Sequence, residues 1–374
     1  MKIIDRYLLR QFFRAYVICF MSLLGIIIVF DAFTHLEDFL NCAEKAGGLG
    51  RVMVAYYAYR SVLIFDRTSA LLTLVAAMFT VAWIQRYNEL TALQAAGISR
   101  VRVVKPVIVA SILLSLVSVG VRELLIPRFS NELARNSTDL LGDVAQDVKP
   151  RYDNQTDVFI RGRSTFSNQQ RIEKPNFWLP DGRQLVADNA YFRRAEGGHP
   201  AGYLLKGVHE PKNFDNQASL ELKGRLIVIT RRDAPQWLAP AECFVISDLS
   251  FEQLVGGQAF RQFSSTPQLV SALRNRSLDY GPDVRVAIHS RIVQPFLDVT
   301  LLFLGLPLVL ARESRNVFLA IGVALLVVTM FLVVTTGCQY LGSQSLILRP
   351  ALAAWLPLMI FVPAAVASSQ AMWE

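Results

Sequence analysis

Charge is scarce in this chain: charged residues make up 18% of its 374 residues, against about 25% in a typical soluble domain. The deficit is concentrated in long uncharged runs towards either end, and the mean hydropathy is +0.35. An ordinary water-soluble globular protein is excluded and an integral membrane protein implied. Catalytic signatures are also missing. No GxxxxGK[ST] occurs, so ATP is not held through a P-loop. There is no HExxH, no GxSxG and no Cys/His pair at nucleophile spacing. His35, His199, His209 and His289 do not cluster, and no cofactor is indicated. The four cysteines form neither a CxxC nor a Cys/His metal spacing. Cys19 and Cys338 fall in apolar runs, as small core residues do. Cys42 and Cys243 fall in segments placed outside the membrane. A disulfide there is conceivable, but nothing in the sequence brings the two together.

What the chain has is apolar length. Ala15–Phe30 is uncharged and covers roughly 24 Å at about 1.5 Å per residue, so it needs Phe12, Phe13 and a snorkelling Arg14 to cross. Asp31-Ala-Phe-Thr-His35 offers no small-x-small cleavage site, so this run reads as a retained span rather than a signal peptide. Further uncharged runs are Thr68–Gln85, Pro106–Val121, Ile292–Ala311 broken only by Asp298, Asn316–Leu348 and Pro350–Trp373. Gly337 and Gly342 with Gln339 and Gln344 mark a turn zone after the fifth run. The expected spans are residues 12–31, 64–85, 104–126, 289–311, 316–338 and 350–372.

Between the third and fourth runs the character changes. Val158–Ile160, Gln184–Val186, Tyr203–Leu205, Leu226–Thr230 and Cys243–Ile246 are short and rich in apolar, largely β-branched or aromatic residues. Pro180-Asp-Gly182, Glu196-Gly-Gly198, Asp215-Asn216 and Asp233-Ala-Pro235 punctuate them. Such spacing predicts an all-β sandwich or roll, closed by a short helix over Thr266–Arg276. The division is then an N-terminal transmembrane part over 1–130, a β domain over 131–280 and a C-terminal transmembrane part over 281–374. The fold class is an α-helical integral membrane protein of three plus three spans with an inserted all-β, jellyroll-like domain.

Charge orients this arrangement. With the N-terminus in the cytoplasm, the short cytoplasmic pieces carry Lys2, Arg6, Arg10, Arg14, Arg86, Arg100, Arg102, Lys105, Arg312 and Arg315. Only Asp5, Glu89, Glu313 and Glu374 oppose them. The formal net charge of +8 therefore reads as positive-inside bias rather than as nucleic-acid affinity. Both termini are expected in the cytoplasm and the β domain outside.

One cytoplasmic piece has a shape of its own. Glu89-Leu-Thr-Ala-Leu-Gln-Ala-Ala-Gly-Ile-Ser99 sits between the second and third spans, within a helical connection over 86–100. Leu90, Leu93 and Gly97 share a side at helical spacing, and Glu89 suits the first turn. Ala92, Ala95 and Ala96 keep the helix thin, Gly97 suits its end, and Ser99 can cap the next helix. By residue pattern alone this is a docking helix for a soluble motor or an ordinary interfacial helix, and both readings stand.

The wording of that segment resembles the signature of the LptF/LptG permease family. The opening Met-Lys-Ile-Ile-Asp-Arg-Tyr-Leu-Leu-Arg10, His289-Ser-Arg-Ile-Val-Gln-Pro295, Leu304-Gly-Leu-Pro307 and Pro350-Ala-Leu-Ala-Ala-Trp-Leu-Pro357 are similar to it as well. The resemblance covers essentially the whole chain, loosely in the β region, and the opening leans towards the LptG type. It implies a bacterial inner-membrane transport subunit without enzymatic activity, paired with a second LptF/LptG-type permease. It implies a cytoplasmic LptB-type ATPase dimer as motor, and an LptC-type bitopic protein and periplasmic bridge that receive lipid from a periplasmic jellyroll. The cargo it implies is lipopolysaccharide or a similar glycolipid. Glu89, Leu90, Leu93, Gln94, Ala96 and Gly97 are then the coupling helix.

Arg60, Arg67 and Arg122 are candidates to meet an anionic headgroup near the outer surface, although for any one of them an interfacial arginine that snorkels or pairs with a neighbour, as in Asp66–Arg67 and Arg122–Glu123, is the preferred reading. The outer part of span one, Gly25–Phe30, lacks the basic residue that family members can carry there, and Asp31 and His35 follow. Asp298 is an intramembrane acid, either functional or paired within the bundle. A lipoprotein-release type permease is disfavoured because three spans precede Pro127. A membrane-anchored scaffold without a motor would tolerate replacement of Glu89 and Leu93.

Overall fold

The computed structural model describes residues 3–46, 48–134, 146–148, 150–166, 169–196, 199–212, 214–222, 224–255, 257–278, 280–310, 317–344 and 348–373. The expected cytoplasmic piece Arg312–Arg315 and Glu374 lie outside them. The chain forms two compact units. The first comprises Met1–Leu36, Met53–Pro127 and Gly281–Glu374, and the second Glu37–Val52 and Arg128–Tyr280.

The N-terminal helices are α1 (Ile3–Thr34), α2 (Leu36–Ala46), α3 (Leu49–Arg86), α4 (Glu89–Ala95) and α5 (Arg100–Gly120). A π-helical turn over Val121–Leu125 continues α5 into α6 (Ile126–Arg128), and α7 (Ser130–Ala134) follows. After the strands come α8 (Phe251–Val255), α9 (Gly257–Phe263), α10 (Thr266–Arg274), α11 (Pro282–Leu310), α12 (Val317–Gln344) and α13 (Pro350–Trp373). Among the described residues six helices are long and apolar enough to cross a membrane: α1, α3, the continuous stretch Arg100–Arg128, α11, α12 and α13. The helices run well beyond the uncharged stretches, because charged and polar residues continue the helical hydrogen-bonding where water can reach them.

Leu74, Ala76 and Ala77 of α3, Val103, Val104 and Val107 of α5, and Leu301, Leu302 and Leu306 of α11 fill one core with Leu8 and Phe12 of α1. The most apolar stretch of α1 is otherwise unburied within the chain, and Val17, Ile18, Met21 and Phe30 stay exposed. That surface suits lipid or a partner span rather than water.

The turn zone expected around Gly337 and Gly342 is not a turn. α12 runs through both glycines to Gln344. Gly342 serves packing instead, for a Cβ there would overlap the Cβ of Ala353 on α13 and approach Val286 Cγ2 of α11 at 3.1 Å. Small residues at such crossings let helix backbones come close where lipid supplies no hydrophobic drive.

The second unit carries the antiparallel sheet. Its strands are β1 (Gln146–Asp147), β2 (Arg151–Asp153), β3 (Val158–Arg161), β4 (Ser164–Phe166), β5 (Arg171–Glu173) and β6 (Asn176–Trp178). They continue as β7 (Gln184–Arg193), β8 (Gly202–Glu210), β9 (Leu220–Leu222), β10 (Arg225–Ile229) and β11 (Glu242–Ile246). Every expected stretch lies in or overlaps one of these strands. The hydrogen-bonded order is β1-β4-β5-β7-β8-β11-β10-β9. The sheet forks at β7, whose Gln184–Val186 end pairs with β6 and whose Asn189–Tyr191 end pairs with β5. β3 and β2 extend the β6 branch. Alternate residues of both branches, Ile160, Ile172, Phe177, Leu185, Leu205 and Val245 among them, are fully buried in one core. Gly182, at φ +84°, makes the tight turn between β6 and β7 that Pro180-Asp-Gly182 signalled. α10 opens with a capping box, in which the Ser265 hydroxyl accepts from the Gln268 N–H and the Gln268 side chain accepts from Ser265 N–H.

Candidate functional site

The joint between α3 and α5 is built by backbone chemistry. Asn88, at φ +57°, ends the run of α3 and its carbonyl accepts the first bond of α4 from Ala92. At the other end Gly97 takes φ +81°, Ile98 N–H donates to Leu93 O at 3.0 Å, and Gly97 N–H donates to Gln94 O at 2.9 Å. This is a Schellman ending, and it needs a residue tolerant of the left-handed region. Ser99 stands at the cap position of α5 as expected, but its side chain makes no capping bond; its carbonyl instead accepts from Arg102 and Val103.

α4 therefore has a rooted side and an open side. Leu90 is 7% exposed within the transmembrane core, and Leu93 and Ile98 pack against the same core. Thr91, Ala92, Ala95, Ala96 and Gly97 are exposed, with Glu89 and Gln94 half-buried at the border. Of the coupling residues read from sequence, Leu90 and Leu93 thus hold the helix, while Glu89, Gln94, Ala96 and Gly97 remain reachable. The start of α1 lies beside this joint. Tyr7 donates its hydroxyl to Glu89 Oε1 at 3.3 Å, and Arg102 approaches Asp5 at 3.4 Å. Asp5, Arg102 and Gly97 also line a cleft of about 410 Å³ next to α4. Sequence reading missed Tyr7 as a partner of α4. The two residues are 82 positions apart, and no local signal links them.

The expected headgroup arginines differ in their surroundings. Arg122 Nε donates to Asp66 Oδ1 at 2.9 Å, joining the π-helical turn to α3. The neighbour pairs Asp66–Arg67 and Arg122–Glu123 thus give way to a pair between helices, since adjacent helical residues point away from each other. Arg60 lies over the Tyr56 ring at 5.4 Å. Arg67 is exposed and makes no hydrogen bond or ion pair among the described residues. Asp31, beyond the apolar end of span one, accepts from the Tyr57 hydroxyl at 3.0 Å and pairs with His35 at 3.4 Å. Because the Asp66 side chain is 9% exposed, Arg122→Gln should strand a carboxylate and destabilise the chain by about 3 kcal/mol. Thermal unfolding of Arg122→Gln and of the double variant Asp66→Asn/Arg122→Gln checks this, with the double variant expected to recover most of the loss. An unchanged melting point in the single variant would free Arg122 for a purely ligand-facing role.

Asp298 lies inside the bundle. It accepts from Ser115 Oγ of α5 at 3.0 Å and from Gln294 Nε2 of its own helix at 2.8 Å. Among the described residues no group of three His, Cys, Asp or Glu side chains could hold a metal ion. Cys19, Cys42, Cys243 and Cys338 are all free thiols.

No curated protein matches the chain. The family described as lipopolysaccharide export system permease LptF/LptG matches residues 6–183 and 209–370, which covers all six spans, the α4 joint and most of the sheet. By that match and by its three plus three apolar helices around an antiparallel sheet, the chain belongs to the LptF/LptG family of lipopolysaccharide export permeases.

Proposed function

We propose that the protein is one half of an ABC transporter in the bacterial inner membrane, drawing lipopolysaccharide or a similar glycolipid out of that membrane for delivery to the outer one. It performs no hydrolysis itself. A cytoplasmic LptB-type ATPase dimer supplies the work, a second LptF/LptG-type permease completes the lipid cavity, and an LptC-type protein and periplasmic bridge take the lipid from the sheet domain. Both termini and α4 are cytoplasmic in this reading.

The observation that carries it is the build of α4. A seven-residue helix rooted by Leu90 and closed by a Schellman turn cannot shift without moving the ends of α3 and α5. Its outward face is small and nearly uncharged, which suits insertion into a groove. A push there becomes a rigid-body displacement of two spans. The exposed surfaces of α1 and α12 suit a partner permease and acyl chains on the same grounds.

The test is affinity purification of the detergent-solubilised protein with mass spectrometry of protein and lipid. A P-loop ATPase, a second six-span permease and lipopolysaccharide are expected together. Glu89→Lys should release the ATPase. Tyr7→Phe, which removes only the hydrogen bond to Glu89, should keep it. Co-purification undiminished by Glu89→Lys, or a protein stable without any ATPase, would move the protein to the scaffold class.

A further inference from the structure

The buried polar pocket around Asp298 is not used by the transport reading. The pocket is enclosed by α3, α5 and α11, with a cavity of about 10 Å³, near the lower limit for one water-sized occupant. Asp298, Ser115, Ser111 and Thr73 supply its polar lining and Leu74 and Leu302 its apolar walls. All four of these polar side chains carry oxygen donors and no nitrogen.

Two features call for an occupant. The first is charge. Both hydrogen-bond partners of Asp298 are neutral donors, Ser115 and Gln294. Arg122 acts on it electrostatically but is bonded to Asp66. A carboxylate within a span is costly unless a proton neutralises it or a positive charge joins it, and an oxygen-lined cavity beside it leaves room for the second. The second is Thr73. Thr68, Thr80, Ser111, Thr300 and Thr329 each donate to the carbonyl four residues earlier, the usual resort of a hydroxyl in a buried helix. Thr73 does not. It is 7% exposed, it lines the cavity, and its Oγ1 has no partner. A buried hydroxyl without a partner is a standing cost that an occupant would remove.

We infer that Asp298, Thr73 and Ser115 form an intramembrane site for one sodium ion. Hard oxygen donors suit a hard cation. A single carboxylate balances one positive charge rather than two, and a cavity at the lower limit for one water favours sodium over the larger potassium ion. Sodium would tie α11 to α3 and α5, the two helices that α4 joins.

The test is thermal unfolding of the full-length protein in detergent, in NaCl, KCl or choline chloride at one ionic strength. Sodium is expected to raise Tm by roughly 2–4 °C over the other two, in a saturable manner. Thr73→Val keeps the shape and removes the hydroxyl, and should raise the sodium concentration for half-effect at least about fivefold, while Thr73→Ser should restore it. Asp298→Asn should abolish the difference between salts. Equal Tm in all three salts would overturn the site and leave a water-sized polar cavity, as would an undiminished sodium response in Asp298→Asn. Because the wild-type comparison needs no variant, a misfolded variant does not decide the outcome. ATPase co-purification is read separately.

Discussion

A leucine at Gly342 should prevent α12 and α13 from packing, and folded protein should be largely lost. The Cβ alone would overlap that of Ala353, an atom fixed to its own backbone that cannot rotate away. Ala353 is fully buried, so the crossing has no slack on that side. Relief would require the two helices to separate, which strips packing from Phe331 and Phe361, whose rings meet at 4.8 Å. Overpacking of a tight contact costs about 1–3 kcal/mol and more where backbones must part. Gly322 and Gly337 on the same helix provide the control. Nothing lies within 4 Å of a Cβ at either, so alanine there should be neutral or add up to about 1 kcal/mol through helix propensity. Yield of monodisperse protein and its melting point distinguish the three. Gly342→Leu melting like the wild type would show that α12 and α13 do not meet at this crossing.

Gly342 also marks a boundary of what the sequence reveals. A glycine between two uncharged runs reads as a turn, because turn formation and close helix approach both favour the residue without a side chain. Only the partner, Ala353, separates the two, and the partner is a tertiary fact. The spans themselves were plain, since an uncharged run in a bilayer has few alternatives to helix. So were β7, β8, β10 and β11, whose runs alternate or stay apolar between turn residues. β2, β4, β5, β6 and β9 are only three residues each, too short for a period to register.

At the α4 joint, Gly97 and the leucine spacing announced the helix and its end. Whether the leucine side faced the bundle or a partner was not legible, because the apolar side of a short helix suits either. Nor were the pairs Tyr7–Glu89, Asp66–Arg122 and Ser115–Asp298, each formed across the bundle between residues at least 56 positions apart. Asp298 stood out in the sequence as a charge in an apolar run. The idle hydroxyl of Thr73 is what makes its surroundings a site.

The second large effect separates the two sides of α4. Ala95→Arg places a long charged side chain on the exposed face and should leave the stability within about 0.5 kcal/mol of wild type, as surface changes do. In a groove shaped for alanine the same side chain has no room, so ATPase recovery in affinity purification should fall at least about tenfold. Leu90→Ala works from the opposite side. It removes a buried side chain from the core shared with α3, α5 and α11 and should cost about 2–5 kcal/mol, read as a lowered melting point. ATPase recovery should fall with it, but as a consequence of α4 losing its seat, and it should recover at low temperature as the fold does. The Ala95→Arg loss should not recover, because nothing has unfolded. The contrast makes the coupling role of α4 testable apart from stability. Retention of the ATPase by a well-folded Ala95→Arg protein would mean that the motor, if any, grips elsewhere, and that α4 is only the interfacial helix its length allows.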